Sequence, residues 1–361
     1  MPESQEPLDR LRERIDGLDE RIVELLSERA RVVMEIGRAK RASGAPTYAP
    51  DREREVLDRL KALNRGPLSE RTLVAIYREL MSGSFTLERA PRVAYLGPAG
   101  SYSHLAALRK FGASIEYEPV GSIAAVFDEI DRDHVDLGLV PVENSVGGGV
   151  VDTLDALCER EVVACAEINL AVHLHLFGHR AIEDVELIYS KPEAFTQCQK
   201  WLTQTGFAAK TVAAPSTSKA AEIAATQPSA ACIGSELLGE LHGLVKLRDR
   251  IEDQADNVTR FLVIGRTPAP RTGKDKTAIV FSAADKPGSL VEVLDVLRRS
   301  GINMTYIESR PSRKRNWEYV FFVDFEGHIE DAAVADALAK ARPHCGDLRV
   351  LGSFPKAQEI L

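Results

Sequence analysis

Apolar residues along the first forty positions fall at Leu8, Leu11, Ile15, Leu18, Ile22, Leu25, then Val32, Ile36 and Ala39. Alternating steps of three and four make a heptad seam on one helix. The pattern predicts a helix from Leu8 to Arg41, about 50 Å long, stopped near Gly44 and Pro46. Further helices are predicted from about Asp51 to Leu63 and from about Ser69 to Glu88. A helix of this kind cannot bury its stripe alone, so it needs partners.

One position breaks the seam. Arg29 stands where the heptad expects an apolar residue, either to fix register and oligomer state or to face a buried anion. Lys40 lies eleven residues on, nearly on the same face and about 16 Å away, so the two side chains can clasp one small dicarboxylate. Arg12 lies seventeen residues before Arg29, about 25 Å along the helix. It can join the same ligand only from another subunit, which predicts an interlocked dimer.

After Ala90-Pro91 the period changes. Short apolar runs alternate with helical stretches: Arg92–Leu96, Ser103–Phe111, Ile115–Val120, Ser122–Asp131, Val135–Val140 and Val150–Arg160. A second series follows with Val185–Tyr189, Glu193–Thr203, Ala208–Val212, Ser218–Ala225 and Ala230–Ile233. This is βαβ architecture. The apolar run Val162–Phe177 is expected to cross between two lobes, with a return through Val245–Ile264, leaving a cleft for ligand. Pro268 to Lys274 reads as a linker. Beyond it come strand Thr277–Ser282, helix Ser289–Ser300, strands Met304–Arg310 and Glu318–Phe325, helix Glu330–Lys340 and strand Leu348–Phe354. That order, βαββαβ, is ferredoxin-like.

Composition narrows the function classes. The 361 residues suggest two or three domains, and 44% hydrophobic with 28% charged residues is a globular composition. The net charge of -8 argues against nucleic acid as main partner and requires a local Arg/Lys cluster for any anionic substrate. No apolar run approaches the roughly 20 residues of a membrane span, and the acidic, polar start is unlike a secretory leader. Five scattered cysteines without metal-ligand spacing fit a reducing cytoplasm and no zinc site.

Loops carry the polar signals. Gly97 to Ser103 joins a strand to a helix, where backbone N–H groups can hold a carboxylate. It lacks both GxGxxG and GxxxxGK[ST], which excludes a dinucleotide or P-loop nucleotide. Pro141-Val142-Glu143-Asn144-Ser145 followed by Gly147-Gly148-Gly149 is a polar turn at a strand end. Pro215 to Ser218 opens a helix, and Asn257-Val258-Thr259-Arg260-Phe261 leads into a buried strand.

Residues 7 to 90 resemble the all-helical chorismate mutase family. The long first helix carries Arg12, Arg29 and Lys40, the second begins Arg52-Glu53, and the third ends Met81-Ser82-Gly83-Ser84-Phe85-Thr86-Leu87-Glu88. The resemblance implies that Arg12 (from a partner), Arg29 and Arg52 bind chorismate's carboxylates. It also implies that Lys40 donates to the ether oxygen, Glu53 holds a hydroxyl and Ser84 lines the site. Two positions depart from the family. Ala49 stands where an Asp is frequent, and Glu88 where many members have Gln. A carboxyl donates only when protonated, so mutase activity is expected to fall with rising pH.

The loops of the middle segment, in order, resemble prephenate dehydratase: Val93 to Pro98 with Gly100 to His104, Glu143-Asn144-Ser145, Ser216-Thr217-Ser218, Ile233-Gly234-Ser235 and Thr259-Arg260-Phe261. That family has a fold like two-lobed periplasmic binding proteins. The resemblance implies that Thr259 donates toward the departing ring hydroxyl, and that Asn144, Ser145, Ser216, Thr217 and Arg260 fix the carboxylates. Water, Glu143 and His104 remain open as the proton source.

Asp285-Lys286-Pro287-Gly288-Ser289-Leu290 and Ile307-Glu308-Ser309-Arg310-Pro311 resemble the phenylalanine-binding motifs of ACT domains. The resemblance implies an effector site between Gly288, Ser289 and Leu290 of one subunit and Glu308, Ser309, Arg310 and Pro311 of another, with Asn303 nearby. Ser289 replaces a common Ala.

Over nearly its full length the chain resembles bifunctional chorismate mutase–prephenate dehydratases inhibited by phenylalanine. The implied domains are 1–90, 91–268 and 275–355, in a homodimer or higher oligomer with no metal or organic cofactor. Two other readings stay open. One is a non-catalytic ligand sensor; the other is a dehydratase whose helical domain only dimerises.

Overall fold

A computed structural model describes residues 6–43, 48–283, 286–312 and 319–361; Gly44, Pro46, Asp285 and Glu318 lie outside them. The N-terminal part is helical, with α1 (Glu6–Ser43), α2 (Pro50–Leu63) and α3 (Glu70–Glu88). Ser69 caps α3, its hydroxyl accepting from Thr72 N, one of the first-turn donors a helix cannot satisfy itself. α3 packs on α1 along Val33 and Gly37 rather than along the predicted seam. At Gly37 the Glu88 Cα stands 3.0 Å from where a Cβ would project. The seam itself (Leu8, Leu11, Ile15, Leu18, Ile22, Leu25, Val32, Ile36) is exposed, Leu25 at 62%.

The middle part runs β1 (Arg92–Leu96), α4 (Tyr102–Phe111), β2 (Glu116–Val120), α5 (Ile123–Asp131), β3 (Leu137–Asn144), β4 (Gly148–Gly149), α6 (Val151–Glu159) and β5 (Val163–Ala171). It then enters a second lobe: β6 (His175–Gly178), β7 (Leu187–Ser190), α7 (Pro192–Gln197), α8 (Gln199–Gln204), β8 (Thr211–Ala213), α9 (Thr217–Thr226), β9 (Ala230–Gly234), α10 (Glu236–His242) and β10 (Val245–Arg248). β11 (Val258–Gly265) returns to the first lobe. The sheets are ordered β2-β1-β3-β11-β5, with β4 beside β3, and β10-β6-β9-β7-β8. β5 to β6 and β10 to β11 are the two crossovers expected from the long apolar runs.

Two second-lobe predictions need correction. Glu193–Thr203 is not one helix: Cys198 leaves helical geometry between α7 and α8. The returning chain splits it, because Asp253 N donates to Gln197 O while the Asp253 carboxylate accepts from Lys200 N. The strand predicted at Ala208–Val212 is instead a 3-10 turn over Phe207–Lys210 followed by the short β8, after Gly206 turns the chain through positive φ.

The C-terminal part has β12 (Asp275–Ala283), α11 (Ser289–Arg299), β13 (Met304–Pro311), β14 (Tyr319–Glu326), α12 (Ala332–Ala341) and β15 (Asp347–Pro355). Sheet order β13-β14-β12-β15 is the ferredoxin-like arrangement. Strand alternation gives this sheet two buried faces. Ile279, Phe281, Val323 and Phe325 pack on its own helices. Ala278, Val280, Phe322 and Phe354 share a core with α5, α6 and β11 of the middle part. Residues 356–361 run back along β5, where Leu361 N donates to Asn169 O and Ala171 N to Leu361 O. Among the described residues no helix is long and apolar enough to cross a membrane.

Candidate functional sites

The helical part brings four predicted residues together in two pairs. Arg29 Nη1 donates to Ser84 Oγ at 2.6 Å, and Lys40 Nζ to Glu88 Oε2 at 2.9 Å. Arg41 Nη1 donates to Glu88 O, which pins the end of α3. Three cations of α1 thus converge on the C-terminal half of α3, where the helix dipole adds negative potential. The Lys40–Glu88 pair is mostly buried, and in it the Glu88 carboxylate accepts from Lys40.

The other predicted mutase residues stand elsewhere. Arg12 is exposed and pairs with Asp9 on its own helix, so the chain alone does not bring it to Arg29. Arg52 is exposed beside Glu55. Glu53 pairs with Lys110 of α4 at 2.9 Å. Arg52 and Glu53 thus take their partners away from the Arg29 and Lys40 pairs, so this chain by itself does not bring all the predicted mutase residues into one cluster. The reason is local: α2's first turn is anchored on the middle part. The Tyr48 ring, just before α2, meets Phe111 edge-on at 5.2 Å, and in the next turn Arg54 Nη1 donates to Lys274 O in the linker.

In the middle part the predicted residues gather at the lobe junction. β3 and β11 pair in a register that sets Asn144 opposite Thr259. Asn144 Nδ2 donates to Thr259 Oγ1 (2.9 Å) and Asn257 Oδ1 (2.8 Å), while its Oδ1 accepts from Val146 N (3.0 Å) and Gly147 N (2.8 Å). An amide has two donors and one two-fold acceptor, so Asn144 is saturated. It orients Thr259 and has no capacity left for a substrate carboxylate, a correction to its predicted role. Thr259 accepts from Asn144 and therefore keeps its own hydroxyl proton for another acceptor. Ser145 is also committed, accepting from Val258 N at 3.0 Å. Asn257 belongs to this set although sequence reasoning gave it no role; its place two residues before Thr259, within the same short stretch, was the available signal.

The other predicted residues lie in the second lobe, at the start of α9. Ser216 caps it, accepting from Lys219 N, and Thr217 is buried beside it. The loop before α4 is tied to this part of the second lobe. Ser218 Oγ donates to Ala99 O at 2.6 Å, Ser235 Oγ to Gly100 O at 2.8 Å, and Arg109 pairs with Glu236 across the lobes. His104 stacks on Tyr95 with centroids 4.8 Å apart. Burial lowers its pKa below the usual 6.5, and its Nδ1 accepts from Gly100 N. Both fit a neutral ring, which argues against His104 as the acid.

Arg260 does not face this site. Successive residues of a strand point to opposite faces, so Arg260 turns away from Thr259 toward the C-terminal sheet and is 8% exposed. Its Nε stands 2.9 Å from Glu167 Oε2 and its Nη2 2.5 Å from Asp324 Oδ2. Lys276 Nζ and Ala357 N complete the shell of Glu167 at 3.0 and 2.8 Å. Burial alone would raise the Glu167 carboxyl, but Arg260 and Lys276 overcome it and hold it below the ordinary range. Asp324, with fewer compensating partners, is raised by burial despite Arg260. The predicted carboxylate-binding role of Arg260 is therefore corrected to a buried ion-pair role. The sequence held a signal for it: Glu167 and Asp324 are lone charges within apolar runs.

At the C-terminal unit, Gly288 precedes α11 with φ +88°, Ser289 Oγ donates to Lys286 O, and Leu290 packs on the unit's own core. Asn303 Nδ2 donates to Glu326. Pro311 and Ala283 both register with Tyr319, so the two predicted effector motifs lie at one end of the sheet. Alternation again divides the second motif. Glu308 abuts Gly149 and Arg310 Nε stands 3.8 Å from Asp155, both toward the middle part. Ser309 and Pro311 are exposed on the other face. Within one chain, Glu308 and Arg310 therefore face the middle part, while Ser309 and Pro311 face away from it.

Comparison with known proteins fits this division. Residues 11–89 match the chorismate mutase type II family, 93–269 the prephenate dehydratase family and 277–343 the ACT domain family. A bifunctional chorismate mutase/prephenate dehydratase of Aquifex aeolicus is 43% identical over 357 residues, spanning 98% of this chain and 99% of the relative. The structure of a prephenate dehydratase from Arthrobacter aurescens in complex with L-Phe superposes with TM-score 0.68 at 31% identity, covering 74% of this chain and 90% of that one. A quorum-quenching acylase gives TM-score 0.68 at 28% identity over 74% of this chain and 98% of its own.

Proposed function

Because the chain belongs to the family of bifunctional chorismate mutase/prephenate dehydratases, we propose that its two side-chain clusters divide two consecutive reactions between them. The chain is a two-activity enzyme of phenylalanine biosynthesis. It rearranges chorismate to prephenate, converts prephenate to phenylpyruvate, and is regulated by phenylalanine through an ACT domain. The carrying observation is the match of all three families, in order, with a relative covered over 99% of its length.

The mutase is assigned to 1–90. Its reaction is pericyclic, so binding the compact conformer and placing cations at the developing negative charge suffice. Arg29 holds a carboxylate, with Ser84 lining the site. Lys40 serves the ether oxygen once substrate shares it with Glu88, and Arg12 of the partner subunit completes the site. The exposed Leu8-to-Ile36 seam supports a dimer in which two first helices cover each other.

The dehydratase is assigned to 91–268. Prephenate's ring carboxylate leaves as CO2, the electron pair of the broken C–C bond enters the ring, and the hydroxyl leaves as water after taking a proton. The ring gains aromaticity, so the enzyme's main task is to assist hydroxyl departure. Thr259, held by Asn144, donates toward that oxygen. Ser216, Thr217 and the N-terminus of α9 serve as carboxylate donors. The effector domain is assigned to 275–355, with Gly288, Ser289, Leu290, Asn303, Ser309 and Pro311 as its phenylalanine surface.

The test uses purified protein and chorismate, measuring prephenate and phenylpyruvate separately with and without phenylalanine. Phenylpyruvate formed from chorismate and suppressed by phenylalanine is the expected result. Consumption of added prephenate with no loss of chorismate would leave the helical domain a purely structural role.

A further inference from the structure

Arg260 follows Thr259 in the chain yet lies on the far side of the sheet, inside the seam between the dehydratase and ACT domains. Three buried charges and one largely covered lysine meet there. The dehydratase contributes Arg260 and Glu167; the ACT domain contributes Lys276 and Asp324. Arg260 reaches Asp324, and Lys276 reaches Glu167, so both cross-domain contacts are ion pairs. Tyr306 of the ACT domain lies against the guanidinium, 5.8 Å from ring centre to Cζ. Each domain brings one cation and one anion, so the seam is neutral as a whole and neutral on either side.

Only one backbone step separates this seam from the hydroxyl that Asn144 orients. β11 pairs with both β3 and β5 through Thr259, and its register against β3 slips between Arg260 and Phe261, directly beside the Arg260 ion pairs. We propose that Arg260 is a positioning residue for the dehydratase step, fastening the Thr259 end of β11 from behind to Asp324 of the ACT domain. The proposal rests on the assignment of Thr259 to the dehydratase site.

The test compares full-length Asp324→Asn, Arg260→Lys and the double variant, with prephenate as substrate and with mutase turnover and thermal melting as controls of folding. Lys lacks the planar fork that spans Glu167 and Asp324. Each single variant is expected to lose about tenfold in dehydratase kcat, with KM for prephenate and mutase turnover near wild type. The double is expected to lose no more than the larger single loss, as for two ends of one interaction. Should Asp324→Asn fail to fold, Asp324→Glu, which keeps the charge but misplaces it, is expected to show the same loss in kcat. A wild-type kcat in a folded Asp324 variant, whether or not its melting temperature falls, overturns the proposal; so does a raised KM confined to Arg260→Lys, which would put Arg260 on the substrate. Wild-type protein that makes no phenylpyruvate from prephenate would instead overturn the functional reading itself.

Discussion

Asn144 Nδ2 and Thr259 Oγ1 stand 2.9 Å apart across the β3–β11 ladder, and the direction of that bond decides what Thr259 can do. An Asn amide whose oxygen already accepts from Val146 N and Gly147 N presents its NH2 group to Thr259. The threonine hydroxyl must accept there and is left to donate elsewhere.

Asn144→Asp tests this arrangement with almost no change in shape. One carboxylate oxygen still accepts from the two backbone amides; the other faces Thr259 as an acceptor and pulls its proton away from substrate. Dehydratase kcat is expected to fall about tenfold to a hundredfold, the range for a reversed or lost buried hydrogen bond. Mutase turnover on the same preparation is expected to stay unchanged. Measuring both rates decides the matter, and an unaltered dehydratase kcat would remove Asn144 from the mechanism.

The helical domain makes a different prediction. Leu18 and Leu25 are exposed in the middle of a heptad seam, a surface that a second copy would cover. Leu18→Glu with Leu25→Glu is expected to lower the mass seen by light scattering. It is also expected to reduce mutase activity about a hundredfold, by removing the partner's Arg12 from a site that works through placed charge. An unchanged mass with full mutase activity would show that the seam is not the dimer contact.

His104 sets an acid-side limit on stability. Its folded pKa lies below 6.5 because burial disfavours the charged ring. Below pH 6.5 the unfolded chain therefore binds the proton that the folded chain refuses, and stability falls as pH falls. The contribution is fully present above 6.5. His175, buried beside Asp249, is lowered in the same direction, again by burial first. His104→Gln is expected to flatten the decline of melting temperature from pH 6.5 downward while leaving the slope above it alone. An equal slope in the variant below pH 6.5 would contradict this.

The sequence carried the architecture well, because periodicity reports which face is buried. The apolar crossing run that became β5 and β6 and the βαββαβ order depend on that relation, whereas the three-and-four spacing of α1 foretold the helix but marks a face that this chain by itself leaves exposed. Residue roles taken from motif resemblance were less secure where neighbours in a strand were grouped together. Thr259 and Arg260, and Ser309 and Arg310, are adjacent in sequence yet face opposite ways. Docking between domains left even less trace. Nothing local in Pro50-Asp51-Arg52-Glu53 indicates that Glu53 meets Lys110, a contact made only once α4 is folded. The lone charges Glu167 and Asp324 in apolar strands were the one readable sign of the seam.

That seam also depends on how closely two backbones approach. Gly352 in β15 lies over β5, where a Cβ would stand 2.2 Å from Ala164 O, and its φ of +150° suits glycine. Gly352→Ala must push the ACT sheet off the dehydratase lobe, an overpacking expected to cost about 1–3 kcal/mol and to lower the melting temperature by several degrees. Gly17 is the control. It sits in exposed α1, and a Cβ added there would meet nothing within 4 Å. Gly17→Ala is expected to stabilise by roughly 1 kcal/mol through helix propensity alone. Opposite shifts for the two variants are expected in thermal melts at one protein concentration. If Gly352→Ala melts like wild type, the close approach of β15 to β5 is not part of the folded enzyme, and the charge seam around Arg260 would lose its geometric support.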